Sequence, residues 1–138
     1  NLLFVKQAYM RLAEALVNRN QNDSAIAVLD KCQEFFPDEK IPYDLYMMAY
    51  PEIYYRAGAI EKGDELINKI IANCLDNLRY YGDLDDKFIP YYTESIRENL
   101  AMINEMSNVA SRYNRMELKI SLENTLDQEF NKFLSIFN

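Results

Sequence analysis

Asp83, Asp85 and Asp86 form the densest group of potential ligands in the chain, and the chemistry they invite is calcium binding. An EF-hand loop opening at Asp83 would close on Glu94, but Lys87 and Phe88 stand where an oxygen ligand and the obligatory glycine belong. The segment therefore reads as a solvated connection whose acids favour the start of the next helix. Histidine is absent, which removes Ser/His and Cys/His nucleophile pairs and every imidazole metal site. Cys32 and Cys74 lie inside apolar helical patterns, where a thiol serves as a small core residue; a disulfide between them stays open at this level. Gly58, Gly63 and Gly82 stand alone, so no phosphate-cradling loop exists. Carboxylates are plentiful on helix faces, but solvated acids of this kind do not make a glycosidase pair. We expect no catalytic residue, no metal and no cofactor.

Tyrosine is abundant at 11 residues and forms the doublets Tyr54-Tyr55, Tyr80-Tyr81 and Tyr91-Tyr92. Neighbours on a helix point about 100° apart, so one ring of each doublet is expected in the core and the other near the surface. An exposed ring can stack on a sugar or grip a peptide; a ring at a helix seam only packs.

The elements that must carry these residues are helical. Apolar residues make up 49% of the 138, against 3 glycines and 4 prolines, too little punctuation for a many-stranded fold. The net charge of −7 opposes nucleic acid and anionic lipid surfaces as partners. No apolar run reaches the ~18 residues of a membrane span, so no direct insertion is expected. The opening "NLLFVKQAYMRLAEAL" starts within a helical pattern, without a signal peptide, as a domain cut from a longer chain would.

Spacing predicts a first helix from Leu2 to Val17 with a stripe of Leu2, Val5, Tyr9, Leu12, Ala13 and Leu16. A second, capped by Asn22 or Asp23, carries Ile26, Leu29, Cys32, Gln33 and Phe36 and stops at Pro37. A third follows Pro42 to Gly58 with a kink or a new start at Pro51, and a fourth runs from Ile60 to Gly82. A fifth spans Ile89 to Tyr113, and a capping box of Asn114 and Glu117 opens a sixth through Leu118, Leu122, Leu126, Phe130, Phe133 and Phe137. The chain is thus expected to be one all-α domain of about six antiparallel helices in three hairpins.

Laying Ala25 on Gly63 superposes the first two hairpins at an offset of 38 residues, with Tyr9 on Met47, Leu16 on Tyr54, Asn20 on Gly58, Leu29 on Ile67 and Cys32 on Ile70. Tyr9, Leu12, Ala13, Leu16, Ala25, Leu29, Cys32 and Pro37 resemble the tetratricopeptide repeat of ~34 residues, the excess being taken up by Lys40 to Tyr43. A small residue at 25 and 63 lets two helix axes approach to ~8–10 Å. The resemblance implies a right-handed superhelical stack with repeats over 1–39 and 44–82 and a long divergent terminal pair over 85–138. It also implies a concave side lined by the first helix of each pair: Met10, Glu14, Val17 and Asn18, then Met48, Glu52, Tyr55 and Arg56. Such a groove would hold a short peptide or a neighbouring domain with modest affinity.

The run "RLAEALVNRNQNDSAIAVLDKCQEFFPDEKIPYDLYMMAYPEIYYRAGAIEKGDELI", continuing through "LRYYGDL" and "LAMINEM", is similar to the carboxy-terminal part of a family of multi-spanning Bacteroidetes membrane proteins. Their amino-terminal region resembles protein O-mannosyltransferases. This resemblance implies an appendage, on the periplasmic side, of a glycosyltransferase-like protein of the bacterial inner membrane. The family's catalytic acids lie in membrane-side loops absent from this sequence, so none carries over. The expected partner is a protein, a peptide or the parent's own membrane domain. The alternatives are a carbohydrate- or lipid-linked-sugar-binding module using exposed tyrosines, and a structural spacer.

Overall fold

The computed structural model describes residues 2–35 and 47–137. Six α-helices account for most of them: α1 (Leu2–Asn18), α2 (Asn22–Phe35), α3 (Tyr50–Arg56), α4 (Ile60–Gly82), α5 (Thr93–Arg112) and α6 (Met116–Lys132). Short 3-10 turns at Met47–Ala49, Ile89–Tyr92 and Leu134–Ile136 complete the set, and no strand occurs among the described residues. The all-α expectation with six helices is what the chain adopts. Phe36, Pro37, the segment Lys40 to Tyr43 and the expected helix start at Pro42 lie outside the described residues.

The chain divides into two compact units, residues 1–68 and 69–138. In the first, α1 and α2 pack as a hairpin and α3 packs on both. Ala25, Leu29 and Cys32 follow at helical spacing along α2 and are fully buried. Pro51 falls in the first turn of α3, where its missing N–H costs nothing and its fixed φ suits the helix; it is a start, with 3-10 geometry before it, and not a kink. The buried side of α1 differs from the expected stripe. Lys6, Ala13 and Val17 are buried, whereas Leu12 is 50% exposed.

In the second unit, α5 and α6 pack against each other, and the latter half of α4 contributes Ile70, Cys74 and Leu78 to the core. Asn99, 7% exposed, donates to the Ser95 carbonyl at 2.7 Å and accepts from Asn77 at 3.1 Å, so this buried amide is satisfied. Of the expected α6 stripe, Leu122 and Phe133 are buried while Phe130 is exposed.

One turn type closes all three hairpins. Asn20, Gly58 and Asn114 have φ of 61°, 85° and 60°, the left-handed region. The following amide donates back across the end of the helix each time: Gln21 to the Leu16 carbonyl at 2.8 Å, Ala59 to Tyr54 at 2.9 Å and Arg115 to Ala110 at 2.8 Å. This is the Schellman closure, in which a residue tolerant of positive φ satisfies carbonyls the helix would leave open. It overturns the capping-box expectation for Asn114. That residue ends α5, the residue before α6 is Arg115, and no side chain caps α6.

Candidate functional site

Two surfaces compete for the role, one in each unit. The first is the expected concave side. Asn18 near the end of α1 accepts a hydrogen bond from Arg56 at the end of α3, and these two residues are equivalents in the 38-residue superposition. Stepping back one and two turns from each gives Glu14 and Met10 on α1, and Glu52 and Met48 on and before α3. Glu14, Asn18 and Arg56 are exposed, while Met10, Met48 and Glu52 are half-buried.

Val17 and Tyr55, expected on the same surface, belong to the core. Tyr55 is 4% exposed: its ring lies against Gly63, and its hydroxyl donates to Asp64 Oδ1 at 2.6 Å. Tyr54 is buried as well, its hydroxyl donating to Asp30 Oδ1 at 2.7 Å. The one-in, one-out expectation therefore fails for this doublet, because α3 is short and covered on more than one side. Burial, then the hydrogen bond to the Asp30 carboxylate, pushes the Tyr54 phenol well above its usual range. Lys62 Nζ takes the other Asp30 oxygen at 2.5 Å, and Gln33 donates to the Tyr54 hydroxyl. Deeper in, the Tyr50 hydroxyl donates to the Lys6 carbonyl at 2.7 Å and lies 3.1 Å from Cys32 Sγ. These bonds tie the helices of the first unit together, with the Lys62–Asp30 pair at its surface.

Cys32 and Cys74 are both buried, and neither is in a disulfide. Burial pushes the Cys74 thiol up to about 12, so it carries no thiolate at neutral pH. Among the described residues no group of acids and thiols converges closely enough to hold a metal ion, and no helix is long and apolar enough to cross a membrane.

The second surface is the α4–α5 connection. Tyr81 and Tyr92 stack with centroids 5.0 Å apart, and Tyr80 meets both edge-on. Tyr80 is 58% and Tyr91 83% exposed, so these two doublets each send a ring outward as expected, while Tyr81 and Tyr92 are only half-buried and do not reach the core. A cleft of about 450 Å³ opens beside the connection, lined by Asp86, Ile89, Pro90, Thr93, Ser135 and Ile136. Sequence reasoning singled out Asp86 but not the cleft, since its far wall comes from the 3-10 turn after α6. Comparison with known protein families, curated proteins and solved structures finds no match to this chain.

Proposed function

We propose that this chain is a non-catalytic helical-repeat interaction module that holds a polypeptide segment on the α1–α3 face. The observation that supports this most directly is the Asn18–Arg56 hydrogen bond. It joins equivalent positions of successive first helices, as side-by-side repeats require, and it leaves Met10 and Glu14 on α1, Met48 in the turn before α3 and Glu52 on α3 with solvent access. Adaptable methionines beside carboxylates suit an apolar segment bearing basic residues. Val17 and Tyr55 act beneath this surface as its packing. The resemblance to the carboxy-terminal part of O-mannosyltransferase-like membrane proteins suggests the setting: a periplasmic appendage whose partner is an acceptor polypeptide, another protein or the parent's membrane domain.

The test is site-specific photo-crosslinking in cells that express the whole parent protein. A crosslinker at Met48 should capture one defined polypeptide, the same group at exposed Asn124 on α6 should not, and Glu14→Lys with Glu52→Lys should abolish capture. Equal labelling from both positions, or capture indifferent to the charge reversal, would refute the assignment.

A further inference from the structure

We propose that the cleft beside the α4–α5 connection binds a lysine-type side chain of a partner peptide, an ammonium group carried on an alkyl stem. The cleft, about 450 Å³, has room for one such side chain and the backbone flanking it. Three of its walls, Ile89, Pro90 and Ile136, are aliphatic and suit methylenes, which long basic side chains lay along apolar surface while the charge stays wet. Its polar groups mostly accept. Asp86 supplies a carboxylate, and the Thr93 hydroxyl already spends its proton on the Pro90 carbonyl at 2.9 Å, so only its lone pairs remain to offer. Ser135 can act either way. A set weighted to acceptors calls for a ligand made of donors, and an ammonium has three donors and no acceptor.

Charge points the same way. Among the described residues of the lining Asp86 is the charged one, and Asp83 and Asp85 deepen the negative field around it. The nearby cations are engaged elsewhere: Lys87 Nζ lies over the Phe88 ring at 5.0 Å, and Arg97 pairs with Glu94 at 3.1 Å and covers the Phe137 ring at 5.5 Å. Glu94, in the first turn of α5, answers the partial positive charge of that helix terminus, which would otherwise oppose a cation. Among the described lining residues an anionic ligand would meet a carboxylate and no base.

This site stands independently of the α1–α3 face, and either can fail alone. The experiment is NMR titration of the isotope-labelled full chain with N-acetyl-lysine methylamide and with trilysine. N-acetyl-norleucine methylamide serves as the uncharged isostere and methyl mannoside as the polyol arm. We expect saturable shifts concentrated at Ile89, Thr93 and Ile136 with both lysine probes, and about fivefold weaker binding in Asp86→Asn. Affinity should also fall severalfold between low and physiological salt, as an exposed charge contact demands. Asp23→Asn, an exposed acid on α2, should bind as the parent does. Shifts spread evenly over the surface acids, binding unchanged in Asp86→Asn, equal binding of the norleucine amide, or a response to the mannoside alone would each overturn the proposal.

Discussion

Replacing Gly63 by alanine sets two opposed effects of known size against each other. Alanine is the better helix former by ~0.5–1 kcal/mol, and the lower figure applies because residue 63 lies in the first turns of α4. Against this, the added Cβ would stand 2.5 Å, 2.7 Å and 2.9 Å from Cε1, Cδ1 and Cζ of Tyr55. Carbon atoms attract best at ~3.5–4.0 Å, so the ring must retreat by about 1 Å. It cannot do so freely. Tyr55 is 4% exposed, and its hydroxyl is held by Asp64 at 2.6 Å. Overpacking of this kind costs ~1–3 kcal/mol. The net expectation is destabilisation by ~0.5–2.5 kcal/mol, a fall in melting temperature of roughly 2–9 °C for a chain of this length. The assay is urea unfolding followed by far-ultraviolet circular dichroism for Gly63→Ala, Tyr55→Leu and the double variant. In the Tyr55→Leu background the clash is gone, and the alanine should stabilise. If Gly63→Ala is as stable as the parent, or if the two changes add within ~0.5 kcal/mol, the ring does not depend on the missing side chain.

Stability should fall on the alkaline side. The Cys74 thiol is pushed up to about 12, and the Tyr54 phenol is raised too, both chiefly by burial. The unfolded chain therefore loses these protons first, and stability, complete below about pH 8.5, declines as pH rises, by at most ~1.4 kcal/mol per pH unit for each group. Urea midpoints between pH 8 and 11 measure this, and Cys74→Ala should flatten the part that begins near pH 9; identical slopes in parent and variant would contradict it. At the α5–α6 turn, Asn114→Ile should cost ~1–2 kcal/mol because φ is 60° there, whereas Asn114→Gly should be neutral or stabilising. Glu117→Ala should leave the melting temperature unchanged, and a loss of ~1 kcal/mol there would restore the capping box in place of the left-handed turn.

The number and kind of elements could be read from apolar spacing because that signal is local: one helix, one stripe, one interruption. That Ala25 and Gly63 sit in enclosed places was readable for a related reason, since a small side chain is a property of single positions. What escaped is decided by partners far along the chain. Leu12 and Val17 fit a helical stripe equally well, and only the packing of α2 and α3 on α1 selects the second. Tyr54 and Tyr55 both go inward because the short α3 has neighbours on more than one side, which no argument about a single helix contains. Asn114 shows a different limit. Asparagine both caps helix starts and tolerates positive φ at helix ends, so its identity permits either role and the backbone decides. The cleft was unreadable for the plainest reason. Its walls, residues 86–93 and 135–136, are joined only by the fold.

The three hairpin turns also explain why the last pair looks divergent. Five residues after the left-handed position come Ala25, Gly63 and Lys119, and each amide donates to the carbonyl four residues before it, Gln21, Ala59 and Arg115, at 2.9–3.1 Å. The local geometry of the turn is therefore kept in all three. The side chain at the fifth position is not: Ala25 is fully buried and Gly63 has no side chain, but Lys119 is only half-buried and pairs with Glu123 at 2.6 Å. On the partner helix, α5 carries the small residues Ser107 and Ala110 among its buried positions. A turn needs only a residue that accepts positive φ, whereas a close crossing needs one small side chain on either of two helices. The two requirements are separable, so a hairpin can keep this turn whichever residue type stands at its fifth position.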